Sequence, residues 1–268
     1  MQTRSAQIIA TSLLLLGLGA PAAFAESGDT LTGTGTLATP GEEFRAVWSE
    51  RSEGFRMDVL KTRSTIDALR AKMTTTRDKR AAERRACRES LRRANRDARL
   101  GVLLQCYADD LAATRVIFGL QREEAALLPG VSPAVRSIAV QRFDVLDDAI
   151  QTILDGVDVG VFATEEEALE TKHNLRERYV LPAFAALADA RTDRLQAWIA
   201  HLGTRLLTAR ETAEHTMEID AVLTCLIEAQ ALVAGVLDKE SNGGNKTTLS
   251  QAQSTLKSCV TQMQTAIE

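Results

Sequence analysis

The sequence has few of the residues that usually carry chemistry. Only three histidines occur, His173, His201 and His215, and none sits in an H-E-x-x-H pair, so the usual helical zinc-hydrolase signature is absent. Four cysteines occur without any C-x-x-C spacing, which removes zinc ribbons, thioredoxin-type redox centres and haem attachment. Gly130-Val131-Ser132-Pro133 begins like a serine-nucleophile elbow, but Ala134 stands where the last glycine belongs and no strand precedes it. Gly33-Thr34-Gly35 lies in a polar stretch rather than at a strand-to-helix turn. Asp155-Gly156-Val157-Asp158 lacks the oxygen series and terminal Glu of an EF-hand. No cofactor is implied, and the reading leans away from an enzyme.

Aromatic residues make up 4% of the chain and only five prolines occur. Sheets favour aromatic and β-branched residues. The abundant Ala, Leu, Arg and Glu instead lose little freedom in helices. No apolar run beyond the N-terminus reaches the length of a membrane span. The formal net charge of −4 gives no overall attraction to nucleic acid.

The N-terminus is different. Arg4 is the only charge in the first 25 residues, Ile8 to Gly19 is apolar, and Ala23-Phe24-Ala25 places small residues where a signal peptidase reads. This pattern predicts a cleavable signal peptide over residues 1–25 and a protein exported to the periplasm or secreted, with no transmembrane span after cleavage. No cysteine follows the apolar run, which argues against a lipoprotein anchor. Residues 26–41 are Gly-, Thr- and Ser-rich and read as a flexible leader.

Residues 42–268 read as one helical-bundle domain. Trp48, Phe55, Val59, Ile66, Leu69 and Met73 follow a 4-3 alternation, with Ser52, Thr62 and Thr76 filling its gaps. That is the seam along which one helix packs on another. Pro129-Gly130 ends a second apolar segment, and Ser132-Pro133 restarts a helix in the preferred order. Its stripe is Ile138, Phe143, Leu146, Ile150 and Ile153-Leu154. Asp155 to Ala163 reads as a loop, and Thr164 to Glu167 as a capping box. A helical pattern then runs almost to Glu240, with Pro182 as a kink or restart and Gly203 as a weak point. Ser241 to Asn245 is a turn, and Thr248 to Gln251 is a capping box that opens a last helix. The expected fold is all-α: an elongated bundle of long antiparallel helices and helical hairpins, stapled by disulfides.

An even cysteine count in an exported chain points to disulfides. The midpoint of Cys225 and Cys259 is residue 242, inside the Ser241–Asn245 turn, so antiparallel helices joined there bring the two face to face. The midpoint of Cys87 and Cys106 falls beside Asn95. A tight turn at that point lets them pair, whereas a helix running straight through holds them about 28 Å apart.

Residues 77–99 hold ten basic side chains against four acidic ones. Within them, Arg84, Arg85, Arg88, Arg92, Arg93, Arg96 and Arg99 are candidate anion-binding residues, because guanidinium forks match phosphate and carboxylate groups. The alternative is a solvated helix face paired with acidic neighbours of the same bundle. Glu211, His215 and Glu218 have i, i+4, i+7 spacing and form a candidate metal column, against ordinary polar pairing on a helix surface. Asn245-Lys246-Thr247 matches the glycosylation pattern of a eukaryotic secreted protein.

Two functions follow as expectations. The first is a non-enzymatic interaction or scaffold protein of the cell envelope or extracellular space. Its partner would be a protein or an anionic envelope component, not nucleic acid. The second is a helical-bundle carrier or metal-binding protein.

Overall fold

The computed structural model describes residues 41–211, 216–237 and 244–267. The expected signal peptide, residues 1–25, and the expected leader up to residue 40 lie outside the described residues. A 3-10 turn, Glu42–Phe44, leads into α1 (Arg45–Arg93). Then come α2 (Arg99–Leu127), α3 (Pro133–Asp158), α4 (Glu165–Leu175), a π-helical stretch Arg176–Val180, α5 (Leu181–Arg210), α6 (Thr216–Leu237) and α7 (Gly244–Ile267). No strand occurs among the described residues, so the expected all-α class of long packed helices holds.

The α1 seam packs as its spacing requires. Trp48, Phe55, Ile66, Leu69 and Met73 are buried, as is Ser52, while the residues between them are mostly exposed. The first half of α1 lies on α5, and the second half on α2. Helix α5 carries small residues on its inner face and contributes to both main cores. Ala183, Ala186, Leu187 and Ala190 pack with Phe143, Leu146 and Ile150 of α3. Farther along, Ile199, Leu206 and Leu207 pack with Trp48 and with Val222, Leu223 and Leu226 of α6.

Gly203 does not weaken α5. The helix passes through it unbroken, because the missing side chain is what admits Trp48. A Cβ at Gly203 would stand 2.7 Å from Trp48 Cδ2 and closer still to Cε3 and Cζ3. The indole is 1% exposed, stacks on Phe44, and donates its N–H to Gln230 Oε1 at 3.1 Å. Gly130 is the other demanding glycine. Its φ of 72° is left-handed, and a Cβ there would meet Phe55 Cδ2 at 2.9 Å.

Several local expectations shift. Ile138 faces outward and Ala139 takes its place in the α3 core. Gly156 stays helical, and the loop begins only after Asp158. Thr164 caps α4 by accepting the Glu167 N–H at 3.2 Å, but the Glu167 carboxylate reaches one residue farther back, to the Ala163 N–H. Pro182 marks the expected restart: α5 begins at Leu181 with the proline in its first turn. It has no N–H to donate, and the π-helical turn just before it absorbs the mismatch. Helix α7 already starts at Gly244, so Thr248 to Gln251 lies inside it rather than capping it. Residues 238–243, which hold most of the expected Ser241–Asn245 turn, lie outside the described residues.

Both cysteine pairs reach disulfide distance. The Cα atoms of Cys225 and Cys259 are 5.7 Å apart, and so are those of Cys87 and Cys106. The second pair depends on the break between α1 and α2. There the Asn95 side-chain oxygen accepts the Ala98 N–H at 2.9 Å and closes the turn. No helix of the described residues is long and apolar enough to cross a membrane.

Candidate functional site

The second half of α1 has little buried surface. Between Arg77 and Arg93 only Arg80, Cys87 and Leu91 are partly covered, and every other residue is exposed. Two links hold this segment to α2. One is the cysteine pair; the other is Asp110, which receives bidentate hydrogen bonds from both Arg80 and Arg84. Partial burial pushes the Asp110 carboxyl up, but the hydrogen bonds and charges of Arg84 and Arg80 outweigh it and hold the group at about 2. The same contacts raise Arg84.

The expected anion-binding residues divide into two groups. Arg84 is committed to Asp110, Arg93 lies near Glu89 at 3.7 Å, and Arg99 donates to Glu165 at 3.0 Å. These three each have an acidic neighbour, on α2, on α1 itself and on α4 respectively. Arg85, Arg88, Arg92 and Arg96 make no ion pair among the described residues, and neither does Arg77. Arg85 bonds only to the Ala81 carbonyl of its own helix. Arg77, Arg80/Ala81, Arg84/Arg85 and Arg88 recur every three to four residues, so the backbone sets them along one stripe of α1.

The stripe borders two recesses. On one side a cleft of about 380 Å³ opens onto Leu103 and Tyr107 of α2 and Leu169 and Lys172 of α4. The Tyr107 hydroxyl is buried there without a partner, and burial, reinforced by the charge of Asp110, pushes it up to about 12. On the other side a groove of about 550 Å³ runs between the arginines and Ile117, Phe118 and Gln121 of α2, with Phe184 of α5. Phe118, Phe143 and Phe184 form an aromatic cluster with centroids 5.6–6.3 Å apart. Lys172, Gln121, Phe118 and Phe184 carry no local sequence signal for this site. They are brought in from α2, α4 and α5 by tertiary packing.

The candidate metal column lies partly outside the described residues. Arg210 bonds Asp220 at 2.7 Å, across ten residues that a continuous helix would separate by about 15 Å. α5 and α6 are therefore not one continuous helix. Glu211 ends up beside Arg45 at 2.6 Å, while Glu218 lies exposed in the first turn of α6. The two are no longer on one helix face, and His215 lies outside the described residues. No cluster of three metal-ligating side chains occurs among the described residues.

A second charged site was not legible in sequence. Glu124 of α2 is 2% exposed and is held by Arg70 of α1 at 2.9 Å and Arg191 of α5 at 3.4 Å. It ties three helices together. Elsewhere between α1 and α5, Ser52 Oγ meets His201 Nδ1 at 2.9 Å. Burial, with the charges of Arg205 and Arg56, lowers the His201 imidazole below its ordinary range.

The chain matches no known family, no curated protein and no solved structure at a significant level.

Proposed function

We propose that this is an exported, non-enzymatic helical-bundle protein of the cell envelope or extracellular space that holds an anionic partner on the arginine stripe of α1. The observation that carries the reading is the set of Arg77, Arg85, Arg88, Arg92 and Arg96. All five are exposed and without an ion pair among the described residues; four lie on a helix segment that buries almost nothing, and Arg96 lies in the turn that follows it. A segment this exposed contributes little to the core, and like charges so close repel one another. An anionic partner relieves that repulsion and supplies charge-assisted hydrogen bonds.

Two further features support the reading. The two cysteine pairs at disulfide distance suit an oxidising compartment, as does the charged-apolar-small pattern of the first 25 residues. The strongly shifted groups beside the stripe are poor proton-transfer catalysts. Asp110 is held at about 2 and Tyr107 near 12, both far from neutrality.

Co-sedimentation with vesicles of anionic phospholipid tests this function. Binding is expected to survive about 0.15 M salt, where exposed charges more than about 8 Å apart are largely screened. It is expected to disappear when the five unpaired arginines become glutamine. Absence of binding even at low salt would remove the proposal.

A further inference from the structure

The groove beside the stripe has a chemistry that the stripe alone does not. One wall is lined by five arginines, Arg77, Arg80, Arg84, Arg85 and Arg88, of which Arg80 and Arg84 are paired with Asp110, and no acidic residue lines the groove itself. The facing wall is apolar, with Ile117, Phe118 and Phe184. Phe184 is left 37% exposed even though its ring lies edge-on to Phe118 at 5.6 Å. Gln121 also lines the groove. It is 3% exposed, and its Oε1 has no hydrogen-bond partner. A buried amide oxygen without a donor is costly, and native proteins rarely leave one.

These three features call for three parts in one ligand. The arginines want an anionic head, whose oxygens match the guanidinium forks. Gln121 Oε1 wants a hydroxyl or N–H donor near that head. The phenylalanine wall wants an apolar body. A volume of about 550 Å³ is on the scale of one small ligand, not of an extended polymer.

We infer that the groove between α1, α2 and α5 binds a single-chain anionic amphiphile with a hydroxyl beside its head, of the lysophosphatidate type. The phosphate sits against Arg85 and Arg88, the glycerol hydroxyl donates to Gln121 Oε1, and the acyl chain lies on Phe118 and Phe184. This rests on the anion-binding reading of the stripe and narrows it to one ligand chemistry.

Calorimetric titration of the full chain with lauroyl-lysophosphatidate, below its micellar concentration and at physiological salt, tests the inference. Saturable one-to-one binding is expected. Arg85→Gln with Arg88→Gln should weaken it at least tenfold, and these residues make no ion pair whose loss would unfold the protein. Gln121→Leu is the discriminating variant. It should weaken lysophosphatidate about tenfold yet leave dodecyl phosphate, which has head and chain but no hydroxyl, unchanged. The same variant should not lower the melting temperature without ligand, since it removes an unsatisfied oxygen. Inorganic phosphate should bind far more weakly than either lipid.

Absence of saturable binding overturns the inference. So do equal affinities of wild type for lysophosphatidate and dodecyl phosphate, a Gln121→Leu variant that binds both as wild type does, and inorganic phosphate that competes at equal concentration. If anionic vesicles still bind through the five arginines while the monomeric lipid does not, the groove assignment fails and the reading of the stripe stands.

Discussion

Alanine at Gly203 should destabilise the protein, although alanine is the better helix former. At an open helical position the change from glycine stabilises by about 1 kcal/mol. Gly119 is such a position, since nothing lies within 4 Å of a Cβ built there. At Gly203 the new methyl group would enter the Trp48 ring. The indole cannot step aside without losing its stack on Phe44 and its hydrogen bond to Gln230. Overpacking of this kind costs about 1–3 kcal/mol. Expulsion of the indole would cost more, since truncating a buried Trp costs about 3–5 kcal/mol. Gly203→Ala should therefore fall about 2–4 kcal/mol below Gly119→Ala once the helix-propensity gain of the latter is included. Urea titration followed by circular dichroism and by tryptophan fluorescence measures both variants. On a Trp48→Ala background the sign should reverse and Gly203→Ala should stabilise. A Gly203→Ala variant as stable as Gly119→Ala would refute the packing of Trp48 on α5.

Asp110 is held at about 2 against an ordinary 3.8, so its ionised form contributes about 2 kcal/mol, by about 1.4 kcal/mol per pKa unit. That stability is present above about pH 4 and is lost as pH falls toward 2, so acid titration of wild type and Asp110→Asn should converge there. Glu124→Ala leaves Arg70 and Arg191 without their shared buried carboxylate and should cost about 3 kcal/mol, at the lower end for breaking a buried pair because both arginines are half-exposed; chemical denaturation reads it. Peptide mapping of the unreduced protein should recover Cys87 with Cys106 and Cys225 with Cys259, and free thiols at either pair would contradict the structure. Replacing Cys225 and Cys259 by serine should cost about 4 kcal/mol by chain-entropy arguments for a 34-residue separation, seen as a lower urea midpoint. The lowered His201 keeps the folded state favoured above its unfolded value near 6.5 and loses that contribution as pH falls below it, so a His201→Gln variant should lose less stability between pH 7 and 5.

Local chemistry is what sequence reading recovers here. The α1 seam is legible because Trp48, Phe55, Ile66, Leu69 and Met73 keep a helical period over many turns. The α1–α2 turn is foreshadowed by Asn95 and by the symmetry of Cys87 and Cys106 about it. What escapes is chemistry set by residues far apart in the chain. Gly203 looks like a weak point because its reason, Trp48, lies on another helix. The Glu211, His215 and Glu218 spacing suggests one face only while the helix is assumed continuous, and the Arg210–Asp220 contact shows that it is not. Which arginines of residues 77–99 are already neutralised depends on Asp110 and Glu165, supplied by α2 and α4. The groove wall, Phe118, Gln121 and Phe184, is likewise assembled from two helices that no local pattern connects.

The most direct test is site-specific photo-crosslinking of the protein in its native envelope or secreted fraction. One crosslinker replaces Arg92 on the stripe, and the other replaces Arg142, an exposed arginine on α3 that also lacks an ion pair among the described residues. The account predicts an adduct with an anionic envelope component from position 92, lost when Arg77, Arg85, Arg88 and Arg96 are glutamine, and none from position 142. Equal labelling from the two positions, or no anionic adduct from position 92, would contradict it.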